Sequence, residues 1–354
     1  MARYEASYAH RLLLQLLVPT KILTRVVDGS TIRTSCRINA VTYSNYKVIL
    51  RYMSSPRFDR IVPLVTLVLI GLGVVFLLEL NTDLLIINLG EGLPTFSVAW
   101  ALIGALALVT GVGVELIARA YPQLYRSGWT TQLPFGARRL ELALPLWSVP
   151  VLTPVAVFAF FRLFRGVLQT NAYLLVLIAT AILLLTVLIA HHYLITGSAI
   201  TRRRARDVLG IIAYALAFAI FSAVTFNRYR TLYAIALVFP SIVLLSADLL
   251  RGRVRALWTT AFSIALVMIE SYWTLNYWPV RFLLNSVALL VIFYVLIGLA
   301  HGVSEQRVER RTHENVGLSR RALLEYGIVG AGALIVLIIA TAMLRSQNID
   351  FRAF

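Results

Sequence analysis

Long apolar runs separated by short polar segments make up most of the chain after residue 60. Each run is long enough, at about 1.5 Å of rise per residue, to cross a hydrocarbon core of about 30 Å as an α-helix. The apolar residues do not alternate with polar ones, which excludes the strand pattern of a membrane β-barrel. We therefore predict nine transmembrane helices. Their ranges are 61–80, 96–118, 142–161, 172–194, 208–226, 231–249, 257–275, 281–300 and 324–344.

Composition supports the same class of protein. Hydrophobic residues make up 59% and charged residues 14% of the 354 positions, and the mean hydropathy is +0.81. Soluble domains average about half apolar and about a quarter charged residues. We predict an all-α, polytopic integral membrane helix bundle, with residues 53–354 forming a single transmembrane domain.

The formal net charge of +17 raises the question of nucleic-acid binding. The arginines instead cluster between apolar runs, as they do in the cytoplasmic loops of membrane proteins. If successive runs cross the membrane in opposite directions, the arginines from residue 51 onward divide unequally. Nineteen lie on the same side as the segment before the first run, and seven lie on the other side. This bias predicts a cytoplasmic N-terminus and an outer C-terminus. The use of arginine in place of lysine favours a prokaryotic protein, and we expect it in the cytoplasmic (inner) membrane. The expected partners are the lipid bilayer and other membrane subunits, not nucleic acid.

Residues 1–52 differ from the rest of the chain. They contain both lysines, Lys21 and Lys47, and the single cysteine, Cys36. Met53 then opens a short basic segment that resembles a natural start before a first membrane span. Two interpretations stay open for residues 1–52, namely an over-extension of the reading frame and a poorly ordered N-terminal extension.

The turn between the seventh and eighth runs carries the first candidate site. Glu270, Arg281 and Asn285 lie in otherwise apolar sequence near the interfacial aromatic residues of this turn. Charges inside a bilayer are costly unless they are paired or close to the interface. One hypothesis is a polar pocket that opens to the outer face. The alternative is a purely structural contact that closes the hairpin.

A second candidate site is a set of arginines at the outer ends of the runs, where the positive-inside bias disfavours them. Guanidinium groups bind phosphate and carboxylate through paired hydrogen bonds, so such a cluster would suit an anionic headgroup. Snorkelling of the same side chains to lipid phosphates is the alternative. The residues are Arg162, Arg165, Arg228 and Arg230.

Three histidines end two of the runs on the arginine-rich side. His191 and His192 end the fourth run and His301 ends the eighth. If they meet, they could ligate a haem or another pigment; the alternative is that each is a polar helix end. A metal site is not predicted, because no carboxylate follows at a recognisable spacing and one cysteine cannot form a cluster. The cofactor is left unknown.

The third run combines Pro145, Pro150 and Pro154. Each proline removes a backbone donor and crowds the preceding turn, so we expect this helix to be kinked or locally unwound. Broken helices at membrane depth line cavities in transporters, and an ordinary proline kink is the alternative. In the second run, Gly104, Gly111 and Gly113 are expected to let a neighbouring helix approach closely.

The sequence contains no H-E-x-x-H, G-x-S-x-G, P-loop or aspartate-rich diphosphate motif, and no catalytic residue is assigned. The favoured function is a non-catalytic, transporter-like membrane protein or an accessory subunit of a membrane complex. One alternative is a membrane enzyme acting on a lipid-linked anionic substrate at the outer face, with Glu270 as the base. A second alternative is a haem- or pigment-binding membrane subunit.

Overall fold

The apolar runs fold into α-helices, because a backbone that leaves water must satisfy its N–H and C=O groups within its own segment. The structure is a computed structural model. It describes residues 56–309, except 57, 81–85, 88–95, 122–123, 125–130, 136–137, 165–169, 228–230, 253, 255 and 278–281, together with eight residues between 324 and 339. The described part belongs to one unit, Pro56–Phe354. The predicted boundary after residue 52 lies outside the described residues.

Eight helices in this part of the chain correspond to the first eight predicted runs. Six of them, α1 to α5 and α8, are long and apolar enough to cross a membrane. Of the predicted ninth run, the eight described residues are helical. The protein is therefore a helical bundle of membrane type. The helices are α1 (Phe58–Leu80), α2 (Val98–Ala118), α3 (Leu144–Arg162), α4 (Thr170–Thr196), α5 (Ala199–Asn227), α6 (Thr231–Leu249), α7 (Leu257–Asn276) and α8 (Phe282–Glu309).

The start of α5 differs from the prediction. The sequence places Arg202, Arg203, Arg204 and Arg206 in a loop, whereas the structure includes all four in the first turns of α5. A helix can extend past the hydrocarbon core when its extra turns are polar, because arginine is a good helix former. Similarly, α8 continues to Glu309, nine residues past the predicted end at residue 300.

Contacts between helix ends show which ends lie together. Arg60, at the start of α1, donates to the Leu116 carbonyl near the end of α2, with a distance of 3.4 Å. Tyr121, just after α2, lies 2.8 Å from the ring of His192 near the end of α4. We call this end of the bundle the arginine-rich end.

The opposite end is defined by contacts of the same kind. Glu79 at the end of α1 pairs with Arg162 at the end of α3, at 3.2 Å. The hydroxyls of Thr225, near the end of α5, and Ser286, near the start of α8, are 2.8 Å apart. Successive helices therefore run in opposite directions through the bundle.

Helices α3 and α5 form the centre of the bundle. In an apolar stretch of 18 residues within each of these two helices, 61% of the residues are buried. The corresponding share is 28–44% in α1, α2, α4 and α8. Opposite faces of α3 enter two hydrophobic clusters. Leu146 and Phe158 pack with α1, α2 and α4, whereas Val149 and Ala156 pack with α4 to α8. Helix α3 thus joins the two halves of the core.

The proline-containing helix is continuous. Pro145 lies in the first turn of α3, where its missing N–H costs nothing, and Pro150 and Pro154 lie inside the helix. All three are buried. The structure shows no unwound segment between Leu144 and Arg162, so the carbonyls that the prolines free lie in an intact, protein-covered helix.

Two of the three glycines of α2 fit the expectation of close helix contact. A Cβ atom at Gly111 would lie 2.9 Å from the Trp147 ring, and one at Gly113 would overlap Leu64. At Gly104 such an atom would meet nothing within 4 Å. Close packing therefore explains Gly111 and Gly113, and the prediction is wrong for Gly104.

Two short antiparallel hairpins occur in the connections, and the sequence did not predict them. Strands β1 (Ile86–Ile87) and β2 (Phe96–Ser97) pair before α2. Strands β3 (Thr131–Phe135) and β4 (Arg138–Leu142) pair before α3, with Thr131 opposite Leu142. The Trp258 indole at the start of α7 donates to the Thr131 hydroxyl at 3.2 Å. This contact places the second hairpin at the arginine-rich end.

Candidate functional site

The two described members of the predicted outer polar pocket lie on different helices, Glu270 on α7 and Asn285 on α8, and differ in burial. Glu270 is exposed, on the face opposite Met268 and Tyr272, which are buried. Asn285 is buried, and its amide donates to the Leu275 carbonyl at 3.3 Å. Asn285 therefore secures the turn between α7 and α8. The third member, Arg281, lies outside the described residues.

Of the four arginines predicted to lie at the outer face, the structure describes Arg162, and this residue is engaged within the protein. Arg162 pairs with Glu79, whose side chain is 9% exposed, and its guanidinium lies 5.8 Å from the centre of the Trp100 ring. The adjoining void measures only about 10 Å³, the scale of a single water molecule. This arrangement stabilises the ends of α1 and α3, and the Arg162 guanidinium is engaged by contacts within the protein. Arg165, Arg228 and Arg230 lie outside the described residues.

The neighbouring histidines of α4 point to different partners. His191 donates through Nδ1 to the Val187 carbonyl of its own helix at 2.9 Å. His192 uses Nδ1 for its contact with the Tyr121 hydroxyl. Both side chains are buried. His191 therefore bonds within its own helix, whereas His192 connects α4 to the residues that follow α2.

The third histidine lies on α8. His301 Nε2 donates to the Leu249 carbonyl at the end of α6, at 3.3 Å. Among the residues that the structure describes, no three histidine, cysteine, aspartate or glutamate side chains are grouped so that they could hold a metal ion. The observed contacts of the three histidines agree with polar helix ends and give no support to a ligand set.

Glu115 does more than the (i, i+4) pair with Arg119 that its sequence position indicates. One carboxylate oxygen accepts from Arg119 Nε at 3.3 Å. The other accepts from the backbone N–H of Ala143 at 3.0 Å and from the Trp147 indole at 3.1 Å. Glu115 is 5% exposed. A carboxylate of α2 thus caps the N-terminus of α3, where the helix dipole favours negative charge.

A cavity of about 430 Å³ opens at the arginine-rich end, between α5, α6, α8 and the last turn of α4. This volume is within the range of small-molecule sites, about 300–1,000 Å³. Tyr214 of α5 and Tyr294 of α8 form part of its wall, with ring centres 5.7 Å apart. Leu194, Leu209 and Ile211 supply apolar surface. Part of the wall is therefore aromatic and aliphatic.

The wall of the cavity also carries charges of both signs. Arg206 and Asp207 contribute from α5, Asp248 and Arg251 from the end of α6, and His301 from α8. Two arginines and two aspartates give no net charge when the histidine is neutral. The site is thus suited to a ligand that carries both a cationic and an anionic group.

The Asp248–Arg251 pair forms the buried part of this charged wall. The Asp248 and Arg251 side chains are 5% and 6% exposed, and one guanidinium nitrogen donates both to Asp248 and to the Pro145 carbonyl. The pair therefore ties the end of α6 to the start of α3. Burying two charges costs several kcal/mol per ion, and this cost is offset only by their mutual attraction and by the further hydrogen bond to Pro145.

The cavity lies in a part of the chain that is shared with a protein family. The model of a family described as "Protein of unknown function (DUF5656)" matches residues 80–340, well over half of the chain. The chain belongs to this family. The matched region contains every residue that lines the cavity, from Leu194 to His301. No curated protein and no solved structure matches the chain.

In the sequence, Glu115 and Asp248 each stand one helical turn before an arginine, which indicates no more than a local ion pair. A signal was nevertheless present, because each is a carboxylate in the last turns of an otherwise apolar run. A carboxylate inside or close to the membrane is costly unless a charged or hydrogen-bonding partner satisfies it. The Ala143 N–H that donates to Glu115 and the Pro145 carbonyl that accepts from Arg251, the partner of Asp248, are backbone groups with no sequence signature. Only the packing of α3 against α2 and α6 reveals them.

Proposed function

We propose that the chain is a non-catalytic, multi-pass membrane protein that binds a ligand in the cavity at its arginine-rich end. It would act as a transporter-like protein or as an accessory subunit of a membrane complex. The observation that carries this proposal is the cavity itself, with the buried Asp248–Arg251 pair in its wall. A protein that only filled the bilayer would gain nothing from placing four charged side chains around a volume of this size.

The proposal includes nine spans, with the arginine-rich end in the cytoplasm of a prokaryotic cell and the C-terminus outside. The distribution of 19 against seven arginines supports this orientation. The clustering of helix ends that carry Arg60, Arg119 and Arg251 at one end of the bundle supports it as well. With this orientation, the cavity opens toward the inner leaflet.

A non-catalytic role fits the placement of the titratable groups. The enzyme alternative required Glu270 to act as a base beside arginines that hold an anionic substrate. Glu270 is exposed on the outside of α7, and Arg162 is engaged by Glu79 and Trp100. Both observations favour binding over catalysis.

Cysteine labelling tests the orientation. In a Cys36→Ser background, Ser198→Cys lies between α4 and α5 at the arginine-rich end, and Asn276→Cys lies at the end of α7; both positions are exposed. A membrane-impermeant maleimide added to intact cells should label N276C and should label S198C only after the cells are opened. The reverse pattern would overturn the orientation.

Ligand retention tests the cavity. Gly210 lines it, and a Cβ atom there would meet Leu249 at 3.9 Å, an ordinary contact distance, so a tryptophan can enter the cavity. Gly104, where a Cβ atom meets nothing within 4 Å, provides a matched control. Native mass spectrometry of protein extracted in mild detergent should show a bound small molecule or lipid in the wild type and in G104W, and not in G210W. Wild-type protein without any bound molecule would contradict the proposed function.

A further inference from the structure

We infer that the cavity binds the headgroup of a phospholipid with a primary ammonium and a phosphate, of the phosphatidylethanolamine type, and that its acyl chain lies in a groove between α4 and α5. This inference deepens the proposed function and rests on it. It names the class of ligand from the charges, aromatic rings and apolar surface that the structure places side by side.

The cationic part of the ligand is indicated by acidic and aromatic groups on adjacent helices. Asp207 of α5 and Asp248 of α6 are acceptors for an ammonium, which has three N–H donors. The faces of Tyr214 and Tyr294 attract a cation through their electron-rich rings. A quaternary ammonium would use the rings but could not donate a hydrogen bond to either carboxylate. The combination therefore favours a primary ammonium.

The anionic part is indicated by the guanidinium groups of the same wall. Arg206 and Arg251 line the cavity together with His301. Guanidinium groups recognise phosphate oxygens through geometry as well as charge. Basic pockets between membrane helices on the cytoplasmic side bind lipid headgroups. The two aspartates make a purely anionic headgroup a poorer match than a zwitterionic one.

The lipid source of this headgroup is indicated by the neighbouring groove. A volume of about 470 Å³ lies between α4 and α5, and all but one of its lining residues are aliphatic. The groove runs from Thr186 to Ala179, about 10 Å along α4. Ile211 lines both the groove and the cavity and is 70% exposed. An amphiphile can thus place its polar end in the cavity and its chain in the groove, on the surface that faces lipid.

The experiment measures lipid binding to delipidated protein by native mass spectrometry. The probes are dioleoyl phosphatidylethanolamine, the corresponding phosphatidylcholine and phosphatidylglycerol, and water-soluble glycerophosphoethanolamine. Phosphatidylethanolamine should bind about tenfold more tightly than phosphatidylglycerol. Asp207→Asn, at an exposed position, should reduce this preference about threefold to fivefold, the effect of one partly exposed ion pair.

A matched pair of variants tests the groove. Ala179→Trp fills it, whereas Ala101→Trp adds the same side chain to an exposed position of α2. Phosphatidylethanolamine binding should weaken at least about fivefold in A179W, which corresponds to about 1 kcal/mol, and stay unchanged in A101W. Both tryptophans face lipid, so a general effect on folding would appear in both variants.

The remaining outcomes would overturn the inference. Equal binding of the three phospholipids would indicate ordinary surrounding lipid, and a preference for phosphatidylglycerol would indicate an anion site. Glycerophosphoethanolamine that binds as tightly as the lipid, without an effect of A179W, would refute the lipid source. A different molecule retained by the wild type and lost in G210W would end this inference and leave the proposed function intact, whereas a cavity that retains nothing would end both.

Discussion

Replacement of Glu115 tests whether one buried carboxylate holds the start of the central helix. In Glu115→Ala, the Ala143 N–H and the Trp147 indole lose their shared acceptor, and the ion pair between Arg119 and Glu115 is lost. Ala143 is fully buried, whereas the Arg119 side chain is 58% exposed. The loss should therefore come from the two donors of α3, not from the surface ion pair.

The size of the effect follows from the number and burial of these donors. A buried donor without an acceptor costs about 1–3 kcal/mol, so two donors set a range of about 2–6 kcal/mol. Hydrogen bonds between membrane helices average about 0.6 kcal/mol, which favours the lower part of the range. We expect E115A to lower the free energy of unfolding by about 3 kcal/mol. Glu115→Gln keeps one oxygen for both donors and should cost about 1 kcal/mol.

The assay is equilibrium unfolding in mixed micelles with increasing SDS, followed by far-UV circular dichroism. Glu270→Ala is the matched control, because this exposed carboxylate should change the free energy by less than about 0.5 kcal/mol. A double-mutant cycle with Trp147→Phe should give a coupling of about 1 kcal/mol to Glu115. If E115A and E270A destabilise equally, the capping role of Glu115 is refuted.

Two further predictions use the same unfolding assay. Gly111→Ala should lower the free energy of unfolding by about 1–3 kcal/mol, because its Cβ atom would press on the Trp147 ring. Gly104→Ala should be neutral or slightly stabilising. Equal effects of the two substitutions would contradict the close contact at Gly111. Arg251→Met should cost about 3–5 kcal/mol because it leaves the Asp248 carboxylate buried without its ion-pair partner. Adding Asp248→Asn should recover part of that loss, and a strictly additive double variant would show that the two residues are not coupled.

For three of the candidate residues, the surroundings of the side chain depend on how the helices pack. Glu270 and Asn285 lie near the same turn, so their spacing suggested one pocket. Their directions around α7 and α8 are fixed by packing, and the side chains at 268 and 272 take the buried face. Likewise, Arg162 is an unpaired charge in the sequence, and Glu79, 83 positions earlier, becomes its neighbour only when α1 and α3 end together.

The sequence determined by itself that this chain forms a bundle of apolar helices, because helical length, hydropathy and arginine spacing are local properties that the bilayer selects directly. It also determined most helix limits to within a few residues. The tertiary structure decided that α3 and α5 lie at the centre, that Glu115 caps α3, and that polar and charged side chains from α5, α6 and α8 meet around one cavity. These facts depend on which faces of distant helices touch. That choice is made by side-chain packing and backbone acceptors, which have no signature in a single segment.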